Sequence, residues 1–258
     1  MTDPNLFRLR VVFAKQGRLA MLSHLEVARA LERAVRRADL PFAVSNGFSP
    51  HMRIAFGAAL PVGVGGTDEL FDLLLLRYVP PQKALAALQA ASVPDLMVKS
   101  CAYIEPRAKA ASVAFPFSSY RAELSRAPES LPLPAQLRIE RKKKTKVLEV
   151  VEFLVGEPSL SGRTVEFTLE AKPTGSMRPD VFLRRCCELA DVEAPAAGGA
   201  AAEDADGAVL LRVENGDAAA VAAGGSVDAG PLSVVSLTRT AQRELPAEEG
   251  PEGGAERP

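Results

Sequence analysis

Between residues 7 and 104 the hydrophobic pattern switches repeatedly between a period of two and a period of 3.6. The order of those switches restricts the fold more than any single motif does. "FRLRVVFAK" (7–15) alternates and is rich in Val and Phe, which predicts a strand. "SHLEVARALERAVRRA" (23–38) places Leu25, Ala28, Leu31, Val35 and Ala38 at helical spacing, with Arg29, Arg33, Arg36 and Arg37 mostly on the other side. Ser23 followed by Glu26 reads as a capping box, and Pro41 marks the end of the helix. "RIAFGAAL" (53–60) and "ELFDLLLLRY" (69–78) predict two more strands, separated by a turn at "VGVGG" (62–66). A helix over 81–91, with Pro81 in its first turn, and a strand over 96–104 complete the series.

The order is βαββαβ, the split-βαβ or ferredoxin-like arrangement, in which two helices cover four antiparallel strands. The second half predicts a degenerate repeat of it. Strands are expected at 118–125, 163–171 and 232–241, with a strand pair or interrupted strand within 137–155. A Pro-rich, weakly helical stretch is expected at 127–135, and a helix at 176–190 with Ser176 near its cap. The expected class is therefore α+β, with tandem ferredoxin-like units at 1–110 and 111–241. Residues 193–230 are rich in Ala, Gly and Asp and predict a low-complexity, flexible insertion, with "AVLLRVEN" (208–215) as a short extra strand. The tail at 242–258 is predicted to be disordered.

The net charge of −1 hides an asymmetry: residues 1–146 hold 22 Lys and Arg against 12 Asp and Glu, and the remainder holds 9 against 20. A basic N-terminal body favours a polyanionic partner. The apolar runs are too short to cross a bilayer, and "MTDPNLFRLR" lacks the layout of a signal peptide, so a cytoplasmic protein with no membrane partner is expected. Cys101, Cys186 and Cys187 form neither a zinc pair nor the CxxxCxxC spacing of a radical-SAM cluster. "GVGG" (63–66) is not followed by the Lys-Ser/Thr of a phosphate-binding loop, and no GxSxG elbow occurs.

His24 and His51 are the only histidines and the candidate catalytic residues. His24 sits in the first turn of the helix. His51 follows "SNGFSP", a turn that Gly47 and Pro50 shape. The pair lacks further ligands at metal-binding spacing, so no metal site is expected. The candidate ligand or phosphate contacts are Lys15, Ser23, His24, Arg33, Arg37, His51, Arg53 and Arg178. The backbone N–H groups at the helix start and the run "RKKKTK" (141–146) add to them. Arg239, in the last strand, reads equally as a phosphate clamp or an internal ion-pair partner.

Several of these stretches form a pattern: "FAKQG" (13–17), "SHLE" (23–26), "RRA" (36–38), "GFSPH" (47–51), "ALPVG" (59–63), and later "GSMRPD" (175–180) and "SLTRT" (236–240). Together they resemble the DUF2344 family, also called the radical-SAM-associated family, over about residues 7–190 and 232–241. Glu26 stands where the family commonly has Asp, Ser49 where it has Asn, and Met52 where it has Pro. The resemblance implies a partner, because members are fused to or encoded beside a radical-SAM protein. That partner would carry the S-adenosylmethionine and iron–sulfur cluster, and this chain is expected to bind no cofactor itself. The expected role is an accessory that binds RNA or a ribonucleoprotein as substrate for the radical-SAM enzyme, more a non-catalytic partner than an enzyme. The alternatives are a metal-independent RNA-processing enzyme using His24 and His51, and a protein–protein adaptor without nucleic-acid binding.

Overall fold

Strand β1 (Phe7–Lys15) buries Leu9, Val11 and Phe13 on one face, as its alternation requires. The computed structural model describes residues 6–141, 144–193, 211–212 and 230–244. Helix α1 (His24–Arg37) lays Val27, Leu31, Ala34 and Val35 on that face. After β2 (Ile54–Phe56) comes β3 (Val64–Leu75), which contributes Phe71, Leu73 and Leu75 to the same core. Helix α2 (Pro81–Ala91) adds Ala84 and Leu88, and β4 (Val98–Tyr103) forms the edge. The strands run in the order β4-β1-β3-β2, each antiparallel to its neighbour.

The second half begins with a helical turn, α3 (Ala111–Ala114), and β5 (Phe117–Leu124). A hairpin of β6 (Gln136–Arg141) and β7 (Lys144–Glu149) follows, then a second helical turn, α4 (Val150–Phe153). Strands β8 (Ser159–Ser161) and β9 (Thr164–Glu170) precede α5 (Pro179–Glu193). A two-residue strand, β10 (Leu211–Arg212), runs parallel to β6, and the last strand is β11 (Val234–Arg243). Here the order is β11-β5-β9-β8, again antiparallel throughout. The second core gathers Tyr120, Leu124, Phe153, Phe167, Phe182 and Leu183.

β11 joins the halves. It pairs antiparallel with β5 and parallel with the start of β3, from Leu237 opposite Val64 to Arg239 opposite Gly66. One eight-stranded, mostly antiparallel sheet results, beside a smaller sheet of β10, β6 and β7. The architecture is mixed α and β.

Several expected elements differ. Residues 127–135 form no helix, because Pro128, Pro132 and Pro134 remove the amide donors that a helix needs. The strand expected at 53–60 narrows to β2. The preceding chain instead folds back as a hairpin arm, with Val44 bridged to Met52 and Phe42 bridged to Leu75. In "VGVGG" only Gly63 adopts a left-handed conformation (φ 84°), while Val64, Gly65 and Gly66 already belong to β3. Helix α5 starts at Pro179 rather than at Ser176, because Lys172 and Gly175 exchange backbone hydrogen bonds across a tight turn. Of the insertion predicted at 193–230, only Glu193, Leu211, Arg212 and Gly230 are described. Of the tail predicted at 242–258, Gln242 and Arg243 instead pair with β5 as the end of β11, and the residues beyond Glu244 lie outside the described residues. Among the described residues no helix is long and apolar enough to cross a membrane.

Candidate functional site

The alternation that fills the first core carries on past it. Lys15 is the next inward-facing residue of β1 after Leu9, Val11 and Phe13, and the register against β3 slips between Phe13 and Lys15. The lysine is only 3% exposed. Its ammonium donates to the Val64 carbonyl at 3.2 Å. Burial pushes its pKa down to about 8; Glu69 opposes that shift and Arg239 adds to it.

Glu69 belongs to the same phase of β3 as Phe71, Leu73 and Leu75, so it too points inward, and it is 6% exposed. Arg239 of β11, 2% exposed, grips it with two hydrogen bonds: Nε donates to Oε1 at 2.9 Å, and Nη2 donates to Oε2. Nη2 also donates to the Ala58 carbonyl at 2.6 Å. Tyr120 sits opposite Arg239 in the ladder, and burial raises its phenol pKa. Of the two readings of Arg239, the geometry is that of an internal ion pair.

Lys15 and Glu69 lie at a cleft of about 340 Å³, counted out to its open mouth. Its other walls are Phe13, the first turn of α1 through His24 and Val27, the segment from Phe56 to Leu60, and Leu70. Gly57 lets that segment run close to β3: its amide donates to Leu70 O at 2.8 Å, and a Cβ there would lie 3.3 Å from the same oxygen. The His24 ring stands edge-on to Phe56 with centroids 5.4 Å apart.

The predicted site residues are distributed as follows. Lys15 and His24 share the cleft. Ser23 closes the capping box: its hydroxyl accepts from the Glu26 amide at 3.4 Å and donates to Glu26 Oε2 at 2.7 Å, and its own amide donates to Glu26 Oε2 at 2.8 Å. These interactions, the side-chain bond first, hold the Glu26 carboxyl below its usual pKa. Arg33 and Arg37 are exposed on α1, and with Arg29 they form a row that makes no salt bridge among the described residues. Arg36 differs, reaching Glu32 at 3.6 Å and lying over the Phe42 ring.

His51 is exposed near the tip of the hairpin arm and is not part of the cleft wall. Its amide donates to Ser45 Oγ at 3.0 Å and its carbonyl accepts from the Ser45 amide at 2.8 Å. Arg53 is half-buried, and its backbone ties Ala43 to Leu74. Arg178 pairs with Asp180 in the second half, at 3.1 and 2.5 Å. Of "RKKKTK", Lys142 and Lys143 lie outside the described residues, and Lys146 donates to Thr174 O at 2.8 Å. Cys186 and Cys187 are buried in α5, where burial drives their thiols up to about 12 and about 11, so they pack rather than react. Among the described residues no three His, Cys, Asp or Glu side chains gather as metal ligands.

Sequence reasoning missed Glu69. The available signal was an acidic residue in phase with the apolar face of "ELFDLLLL". It also missed Asp72, on the opposite face, which takes Arg8 at 2.6 Å and Arg10 at 2.7 and 3.0 Å.

No curated protein is significantly similar to this chain. One family model matches it across residues 8–179, described as an uncharacterized protein conserved in bacteria. That span takes in the β1 lysine, the capped helix, the hairpin arm, Glu69 and the start of α5, and by it the chain belongs to the DUF2344 family.

Proposed function

We propose that this protein is an accessory to a radical-SAM enzyme and binds RNA or a ribonucleoprotein as that enzyme's substrate. The observation that carries the reading is the Arg29, Arg33 and Arg37 row. Three exposed guanidiniums at i, i+4 and i+8 repeat about every 6 Å along α1, a spacing that suits successive backbone phosphates. The resemblance of the sequence motifs to radical-SAM-associated proteins supports the choice of partner, which would hold the S-adenosylmethionine and the cluster. We also read the two halves as tandem ferredoxin-like units, because each follows the strand order fourth, first, third, second. In the second unit the β6–β7 hairpin stands where the first has α1.

The test is co-purification with a radical-SAM protein from the same cells, with and without nuclease, followed by RNA-binding titrations across salt. The reading expects a recovered partner and an affinity for structured RNA that falls steeply between low and moderate salt. Affinity that is flat with salt would rule the reading out. Partner recovery without RNA affinity would leave the adaptor role. RNA cleavage by the pure protein, lost in His24→Ala, would point instead to a processing enzyme. His24 is the histidine to test first, because it lines the cleft and His51 does not.

A further inference from the structure

Three ionisable side chains are buried at the head of the cleft, and their charges do not balance. Arg239 and Glu69 neutralise each other through two hydrogen bonds. Lys15 is left over. An ammonium has three protons to donate, and among the described residues this one finds a single acceptor, Val64 O at 3.2 Å. The lysine is 3% exposed yet borders the cleft, whose nearby walls include Phe13, Val27, Phe56, Leu60 and Leu70. An unmatched positive charge in apolar surroundings attracts an anion far more strongly than the same charge in water.

We propose that this cleft binds a small anion with an apolar body. Its carboxylate or phosphate head sits on the Lys15 ammonium, and its apolar part lies against Phe56, Leu60 and Leu70. The site is separate from the arginine row of α1 and does not depend on RNA binding. The charged and titratable groups around Lys15 are Glu69 from β3, Arg239 from β11 and His24 from α1. Glu69 is engaged by Arg239, so it does not supply the missing counter-charge. The lysine itself loses its proton at about pH 8 when the cleft is empty. A bound anion would hold that proton, so affinity should fall about tenfold per pH unit above that point.

The experiment is calorimetric titration of the full chain with hexanoate, inorganic phosphate and a short RNA oligonucleotide at pH 6, 7, 8 and 9. Wild type, Lys15→Met and Arg33→Ala are compared. Saturable binding of hexanoate or phosphate is expected. It should weaken at least fivefold from pH 7 to 9, weaken at least tenfold in Lys15→Met, and stay unchanged in Arg33→Ala. Binding of hexanoate alone assigns the ligand to carboxylates, and binding of phosphate alone to phosphate groups. The absence of saturation by either probe in the millimolar range overturns the proposal, as does an affinity independent of pH. The pH series on wild type decides the matter even if Lys15→Met fails to fold. RNA binding that is weakened in Arg33→Ala while hexanoate binding is unchanged separates this site from the proposed RNA surface.

Discussion

Arg239, 170 residues away in sequence, closes a two-pronged ion pair on Glu69 where β11 meets β3. Both side chains are almost completely buried, so neither can exchange its partner for water. Removing one partner of a buried pair costs about 3–5 kcal/mol, because the other charge is stranded. Arg239→Met should therefore destabilise the protein by that order, and Arg239→Met with Glu69→Gln by less. Urea melts of the two single variants and the double variant measure the coupling.

Gly66 makes room for that pair. A Cβ at residue 66 would sit 2.7 Å from the carboxyl carbon of Glu69, and Arg239 holds the carboxylate in place. Gly66→Ala is expected to reproduce much of the stability loss of Arg239→Met. Gly156→Ala, at an open position of positive φ, should cost only the ordinary strain of that conformation. Thermal unfolding of both variants makes the comparison.

The effect of pH on stability follows from Lys15. Its pKa in the folded chain lies near 8, below its unfolded value, so between about pH 8 and 10 the unfolded state holds more protons. Stability contributed at this position therefore rises with pH across that window. Lys15→Met should flatten the rise and be the more stable protein at neutral pH. Chemical denaturation at pH 7, 8, 9 and 10 compares the two chains directly.

The capping box gives a smaller, local effect. Ser23→Ala removes the side-chain cap of α1 and should cost about 1 kcal/mol. The Glu26 carboxyl is held below its usual pKa by Ser23, so its part of the box is complete at neutral pH and fades only as acid titrates it. Acid titration of wild type and Ser23→Ala should show the larger difference above the ordinary carboxylate range and a smaller one below it, where the Glu26 amide still donates to the Ser23 hydroxyl.

Along α1, replacing Arg29, Arg33 and Arg37 together with Ala should reduce the salt slope of RNA binding by roughly one for each phosphate that is no longer neutralised. All three are exposed and without salt bridges among the described residues, so stability should change little. Filter binding at several salt concentrations, beside a thermal melt, separates the two effects.

Local patterns made most elements legible. Alternation located β1, β5, β9 and β11, and Ser23 with Glu26 located the start of α1. The seam was not legible, because nothing near "VGG" indicates that β11 will lie beside it. Pairing across so long a separation is settled by tertiary packing rather than by local preference. The same reason explains the site. Lys15 and His24 stood out as polar residues near the ends of periodic segments. Glu69 looked like one acid in an apolar run until Arg239 arrived from the far end of the sequence to match it. His51 stood out in the same way as His24, and its loop forms the tip of an arm rather than a wall of the cleft.

That β11 lies between β3 and β5 also bears on how the chain matures on the ribosome. Every other strand of the large sheet is synthesised before it, and until it emerges β3 and β5 each present a bare edge toward the other. During that interval Glu69 lacks Arg239, and the Val64–Gly66 stretch of β3 and the facing edge of β5 lack the strand that pairs with both. The last strand thus works as a latch, and a truncated product ending before Val234 should be open to proteases along that line.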